Sequence, residues 1–225
     1  MQQHQRYYQK GIGLIEIAIV LVIVGLLIGA IFQGRKLVEN AKLNAVVANL
    51  HKIQMNVREF KEKYGFMPGD FPFASRDIHP SVVDGNGSGV LNGNPFSIVS
   101  PAGLFWVHLA ALEEIFIQEQ QELMFGDTLM NTGFGGGYTI VQDPSQNMPG
   151  AWIVVGEKEN DSGEAPLFTP EQAAYIDKKI SNGHPAYGQL RALGKNRVPG
   201  KCIVDNRYNL TNKEQSCVLY FRLEN

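Results

Sequence analysis

Residues 12–32 read IGLIEIAIVLVIVGLLIGAIF, from Ile12 to Phe32, with one charged side chain, Glu16. As a helix rising about 1.5 Å per residue, a run of about 20 residues crosses the ~30 Å hydrocarbon core of a bilayer. The apolar core of a secretory signal is shorter, about 7–15 residues, and ends at a small-x-small cleavage site. Here the chain continues instead as Gln33-Gly34-Arg35-Lys36. The run is therefore read as a retained membrane anchor. Everything after Phe32 is too polar to span again, so a single pass is expected.

The flanks extend the reading. Arg6 and Lys10 precede the run, and Arg35, Lys36 and Lys42 follow it against Glu39. Basic residues at both ends leave the orientation undecided by the Lys/Arg rule. The two cysteines supply the missing information. Cys202 and Cys217 stand near the C-terminus with neither a CxxC spacing nor a histidine set around them, so a disulfide is more natural than zinc or redox chemistry. A disulfide needs an oxidising compartment, which places the large C-terminal part outside the cytoplasm.

After the anchor there is no proline before Pro68. Leu43, Val46, Leu50, Ile53, Val57, Phe60 and Tyr64 recur at spacings of three and four, one face of a helix. Lys42, Asn49, Lys52, Asn56, Glu59 and Lys63 occupy the opposite face. One helix is thus expected from Ile12 to about Tyr64, with residues 12–32 in the membrane and residues 33–64 amphipathic. Gly65 and the turn Pro68-Gly69-Asp70 end it, and residues 65–225 form a globular part. Gly25 and Gly29 make a GxxxG pattern, which allows close helix approach but is weak by itself.

Glu16 costs about 2.5–3.5 kcal/mol at mid-membrane, and less near an interface. One reading has it snorkelling from the helix end into the headgroups. Another follows from the polar-to-apolar switch at Lys10-Gly11-Ile12. A cut after Gly11 would create an α-ammonium on Ile12 in apolar surroundings. Glu16, fifth from that new terminus, would be the partner which that charge needs.

Gly11-Ile12-Gly13-Leu14-Ile15-Glu16 with the apolar stretch through Gly25 resembles the N-terminal cleavage and methylation motif of type IV prepilins and type II secretion pseudopilins. The family pattern is a short basic leader ending in Gly, a hydrophobic first residue, Glu at the fifth position, then an apolar helix. The family's usual first residue is Phe, and here it is Ile12. Tyr64 to Pro72 is similar to the Pro-Gly-Asp turn after the long helix in some pilin-like proteins. Residues 167–180 resemble a helix of a minor-pilin-like subgroup. The resemblance implies a leader of residues 1–11, removed by a prepilin peptidase between Gly11 and Ile12, with N-methylation of Ile12 as the companion step. It implies Glu16 as the assembly residue and an α+β, pilin-like fold, the long helix packed on an antiparallel β-sheet. The partners it implies are other pilin or pseudopilin subunits and an inner-membrane assembly platform. The anchor would lie in the inner membrane, with the globular part periplasmic until assembly into a pilus or pseudopilus. The size of the globular part favours a minor or specialised subunit. The alternative is a single-pass anchored envelope protein that binds a ligand or partner and never joins a fibre.

The remaining segments fit the same architecture. Gly103 to Met124 reads as a second helix, with Glu113, Glu114, Glu119 and Glu122 on exposed faces. Residues 138–141 and 151–155 read as strands, and so does 218–223, whose Leu219, Phe221 and Leu223 alternate with Val218, Tyr220 and Arg222. Thr169, with Pro170 next and Gln172 three residues on, is a capping-box start for a helix ending near Ile180. Asp84, Asn86 and Ser88 place oxygens at alternate positions, like the first half of a calcium loop. The bidentate Glu of such a loop is missing, because that position is Pro95. A flexible turn without a metal is the expected reading.

Several function classes fall away on composition. Lys+Arg 20 against Asp+Glu 22, net charge −2, gives no basic stripe for nucleic acid. The 44% hydrophobic content can build a core, which excludes disorder throughout. There is no HExxH, GxSxG, Walker loop or CxxC, and the five histidines are scattered. His108, in an apolar helix, is read as a packing residue. No enzyme and no cofactor are expected.

Overall fold

The structure, a computed structural model, describes residues 13–115, 122–198 and 200–223. The leader residues, the Gly11–Ile12 pair and Glu119 lie outside the described residues. Helix α1 spans Leu14–Tyr64. The chain divides into two units, Met1–Ala41 and Lys42–Asn225.

In the first unit α1 buries no side chain. In the second, Leu43, Val46, Leu50, Ile53, Val57 and Phe60 are all buried, as the three-and-four spacing predicts. The opposite face is less purely solvated than its polar residues imply. Asn49 donates to the Tyr138 hydroxyl at 3.3 Å, and Asn56 donates to Glu113 at 3.2 Å. Neighbouring elements rise past the apolar stripe and meet these amides.

Gly65, at φ +75°, ends α1. The following turn is held by contacts that need a missing side chain. A Cβ on Gly69 would stand 2.3 Å from the Pro101 carbonyl oxygen. A one-turn helix α2, Ala74–Asp77, follows. Helix α3, Pro101–Leu112, has Ser100 as N-cap, accepting from Gly103 N–H, with Pro101 at its first position. It is buried on nearly every side, as its all-round apolar sequence requires.

The second helix therefore stops well before Met124. The Ile115 and Glu114 N–H groups donate back to the Ala110 and Ala111 carbonyls, and Glu114 takes φ +58°. This is a Schellman closure with a glutamate where glycine is usual. Glu113 and Glu114 end the helix rather than decorate it, and Glu113 pairs with Lys52 at 2.9 Å.

The strands are β1 (Gly137–Gln142), β2 (Ala151–Glu159), β3 (Ser162–Ala165), β4 (Leu190–Leu193), β5 (Ile203–Val204), β6 (Arg207–Tyr208) and β7 (Val218–Arg222). The main sheet runs β1-β2-β7-β4, with β3 beside β2, and all pairs are antiparallel. Strands β5 and β6 form a separate hairpin. Helix α4, Pro170–Ile180, begins with the expected capping box between Thr169 and Gln172.

The fold is α+β, with the long helix packed on an antiparallel sheet. On one sheet face Ile140, Ile153, Leu219 and Phe221 join the stripe of α1, and α3 and α4 complete this main core. The His51 and Phe221 rings stand perpendicular with centroids 6.3 Å apart, and Tyr175 of α4 donates to Asn44 at 3.1 Å. On the other face Met148, Trp152, Val154, Val218 and Tyr220 form a smaller cluster. Strand β7 thus buries both of its alternating faces.

Candidate assembly and processing site

From Leu14 to Phe32 the helix presents an apolar surface whose one charge is Glu16. Leu14 is 92% exposed, Leu26 71% and Phe32 67%. A Cβ built on Gly25 or Gly29 would meet nothing within 4 Å, so these two positions, four apart on one helix face, form a shallow groove open to a neighbour. Among the described residues this is the one helix long and apolar enough to cross a membrane. In water such a surface is a strong liability, because soluble monomers rarely expose contiguous apolar patches larger than a few hundred Å².

Glu16 sits in the first turn of α1. Its carboxylate accepts from the Gly13 N–H at 3.1 Å. That bond satisfies one of the helix's orphan donors, and a negative charge at this end complements the helix dipole. The carboxylate is thereby held at the N-terminal end of the apolar surface. Gly11 and Ile12, the expected cleavage junction, lie outside the described residues.

The other predicted positions lie in the second unit. Cys202 and Cys217 are disulfide-bonded and fully buried. Phe168 exchanges backbone hydrogen bonds with Cys217 at 3.0 and 3.1 Å. The bridge therefore ties the β5–β6 hairpin to the start of β7 and to the entry of α4. Asp84, Asn86 and Ser88 do not point at a common centre of hydrogen bonding. The Asp84 carboxylate accepts from the Ser75 N–H and hydroxyl at 2.7 and 2.8 Å. Asn86 accepts from the Ser88 N–H at 3.1 Å, and Ser88 turns to Val90. Among the described residues no three His, Cys, Asp or Glu side chains group as a metal site.

His108 is wholly buried. Its Nδ1 accepts from the Gly69 N–H at 2.9 Å, and its Nε2 lies 2.8 Å from the Val83 carbonyl oxygen, to which it donates in the neutral form. Both ring nitrogens are used, and the imidazole stacks on Phe60. Burial lowers its pKa from the ordinary value. It fastens the Pro-Gly-Asp turn to α3, the packing role its apolar helix suggests. A second buried polar pair left no sequence signal. Tyr208 of β6 donates to Asp177 of α4 at 2.9 Å, and burial raises the Asp177 pKa. The two residues are 31 positions apart, and only the fold brings them together.

With the exposed helix and its N-terminal carboxylate described, comparison with known families shows what the N-terminus is similar to. Residues 6–32 match the prokaryotic N-terminal methylation motif. The N-terminus is prepilin-like. The matched segment covers the basic flank, the Gly11–Ile12 junction, Glu16 and the apolar run to Phe32. No curated protein and no solved structure matches the chain. The methylation motif therefore speaks for the N-terminal segment, and the globular unit is read from its own residues.

Proposed function

We propose that this chain is a prepilin-like subunit, cut between Gly11 and Ile12 by a prepilin peptidase. It then joins a type IV pilus or type II secretion pseudopilus through its N-terminal helix. The carrying observation is the coincidence of the methylation motif at residues 6–32 with a helix half that buries nothing in its own chain. A helix of this kind needs lipid before assembly and neighbouring helices after it. In this reading the protein is a single-pass inner-membrane subunit with its globular unit on the periplasmic side, where the Cys202–Cys217 bridge can persist. An inner-membrane platform would pass it to the fibre. Its work is structural rather than catalytic, and the size of the globular unit favours a minor or specialised place in the assembly.

Glu16 gives the reading its energetics. After cleavage the Ile12 ammonium must leave water as subunits dock. An unpaired ion taken into an apolar environment costs several kcal/mol, and a carboxylate about one helical turn away offsets that cost. Intact-mass measurement of the protein extracted from membranes of cells containing the peptidase tests the processing step. Ile12 as the first residue, with or without a methyl group, supports it. An intact Met1 terminus overturns it.

A further inference from the structure

The sheet face turned away from α1 carries an arrangement that the fibre reading does not use. Strand register sets Trp152 of β2 opposite Arg222 of β7, and Tyr220 of β7 opposite Arg191 of β4. Two arginines thereby converge on one indole. The guanidinium carbon of Arg191 lies 5.2 Å from the Trp152 ring centroid, and that of Arg222 lies 6.0 Å away. Both are within cation–π range. Trp152 itself is fully buried and donates to the Pro149 carbonyl at 3.2 Å, so the platform beneath the two charges is fixed.

Neither charge is neutralised by the described residues: no ion pair reaches Arg191 or Arg222. Elsewhere on the same unit the protein does pair an arginine, one more exposed than Arg191. Arg197 grips Glu164 through two bonds of 2.8 and 2.7 Å. Arg191 instead gives Nη1 to the Asn147 carbonyl at 2.7 Å, and its Nε is buried without any partner. Burial and the neighbouring charge of Arg222 both push its pKa down from the usual value. A buried donor left unmade is costly, and two like charges in one place add to that cost.

The two arginines also share an opening. They line a cleft of about 470 Å³ together with Pro149, Gly150, Gly188 and Gln189. Gly150 has nothing within 4 Å of where a Cβ would stand, so the backbone on that wall is bare and open to a ligand. The volume falls in the range of small-molecule sites, about 300–1,000 Å³. Planar guanidinium forks match carboxylate and phosphate oxygens bidentately.

We propose that this cleft binds a small organic oxyanion, carrying a carboxylate or phosphate group held between Arg191 and Arg222 above Trp152. The anion relieves the repulsion between the two guanidinium groups, both of which line the cleft. The site does not depend on whether the chain joins a fibre.

Calorimetric titration of the full chain in an uncharged detergent tests it, with inorganic phosphate and citrate as separate probes and chloride holding the ionic strength constant. Saturable binding of at least one probe is expected; phosphate alone or citrate alone identifies which oxyanion the cleft prefers. Arg222→Ala, at an exposed position, should fold normally and weaken binding about tenfold or more, the equivalent of about 1.4 kcal/mol. Arg191→Lys keeps a charge but loses the fork, and should weaken it similarly. No saturation by either probe would overturn the proposal. Unchanged affinity in Arg222→Ala would overturn it equally, whether or not Arg191→Lys folds.

Discussion

The two halves of α1 are one helix with two different jobs. From Leu14 to Ala41 no side chain is buried, and from Lys42 to Tyr64 six apolar side chains are. Hydropathy separates them: residues 14–32 carry one charge and are apolar enough to cross a membrane, while the second half is too polar to span. Distribution then explains how the more polar half still docks. In the second half apolar residues recur every three or four positions between charged ones, which is what a helix needs to dock on a core. In the first half they surround the helix, which suits lipid or other helices but not water. The division gives the protein two kinds of stability: one internal to the globular unit, the other supplied by its surroundings.

The same substitution made in each half should sharpen this contrast most. Phe60 is 0% exposed and Phe32 67%. Phe60→Ala is expected to destabilise the globular unit by about 3–5 kcal/mol, as Phe truncations in packed cores do. Phe32→Ala should leave its unfolding midpoint unchanged in detergent. Denaturant titration followed by indole emission measures both, and equal losses would break the two-job account.

A smaller effect is expected from the bridge. Cys202 and Cys217 are 15 residues apart, and in the chain-entropy view closing a loop of that size contributes about 3 kcal/mol. Reduction should lower the unfolding midpoint of the globular unit accordingly, while the exposed half of α1 should keep its helicity by circular dichroism. Two freely alkylated thiols in the native, unreduced protein would remove both this prediction and the compartment argument.

His108 should give a smaller, pH-dependent term. Its folded pKa lies below the unfolded value of about 6.5, so the folded state binds fewer protons. Its stabilising contribution is present above that value and declines as the pH falls through the window beneath it. The nearby Asp70 and Asp84 charges oppose the decline without reversing it. The melting temperature should therefore drop between pH 7 and pH 5, and His108→Gln should flatten that drop even if it melts lower throughout. A slope identical in both proteins would contradict the buried, neutral assignment.

The smallest expected effect is none at all. Among the described residues a chain beginning at Gln33 loses no buried side chain, and it should fold as a monomer with the parent's melting temperature. Leu37 and Val38 would stay exposed, which single apolar side chains tolerate. Aggregation of such a chain with its bridge intact would show that the globular unit leans on the anchor.

Much of this was readable before the structure, for definite reasons. The stripe from Leu43 to Phe60, the Thr169–Gln172 capping box and the alternation of β7 are local patterns whose physics acts within a few residues. The end of α3 was not readable, because Glu114 takes a left-handed conformation without the glycine that normally marks one. The pairing of β2 with β7, over sixty residues away, was not readable either, since strand partners are chosen by the assembled core. The Arg191–Arg222–Trp152 cluster depends on that pairing and so had no sequence signal. At the N-terminus the reverse holds. Gly11, Ile12 and Glu16 stand together in the sequence within the matched motif, and the proposed role of each comes from chemistry after cleavage rather than from contacts within the chain.

That chemistry is tested most directly by Glu16→Leu beside Glu16→Asp, scoring membrane content and crosslinked assemblies separately in cells that carry the assembly machinery. Leucine removes a polar group from an apolar run, so insertion should hold or improve. The Ile12 ammonium loses its partner, and each 1.4 kcal/mol lost in docking is about a tenfold loss in equilibrium. The account predicts parental membrane levels with assemblies nearly abolished for Glu16→Leu, and partial assembly for Glu16→Asp. Assembly of Glu16→Leu at the parent's level would contradict it, leaving Glu16 as no more than a cap on the first turn of the helix.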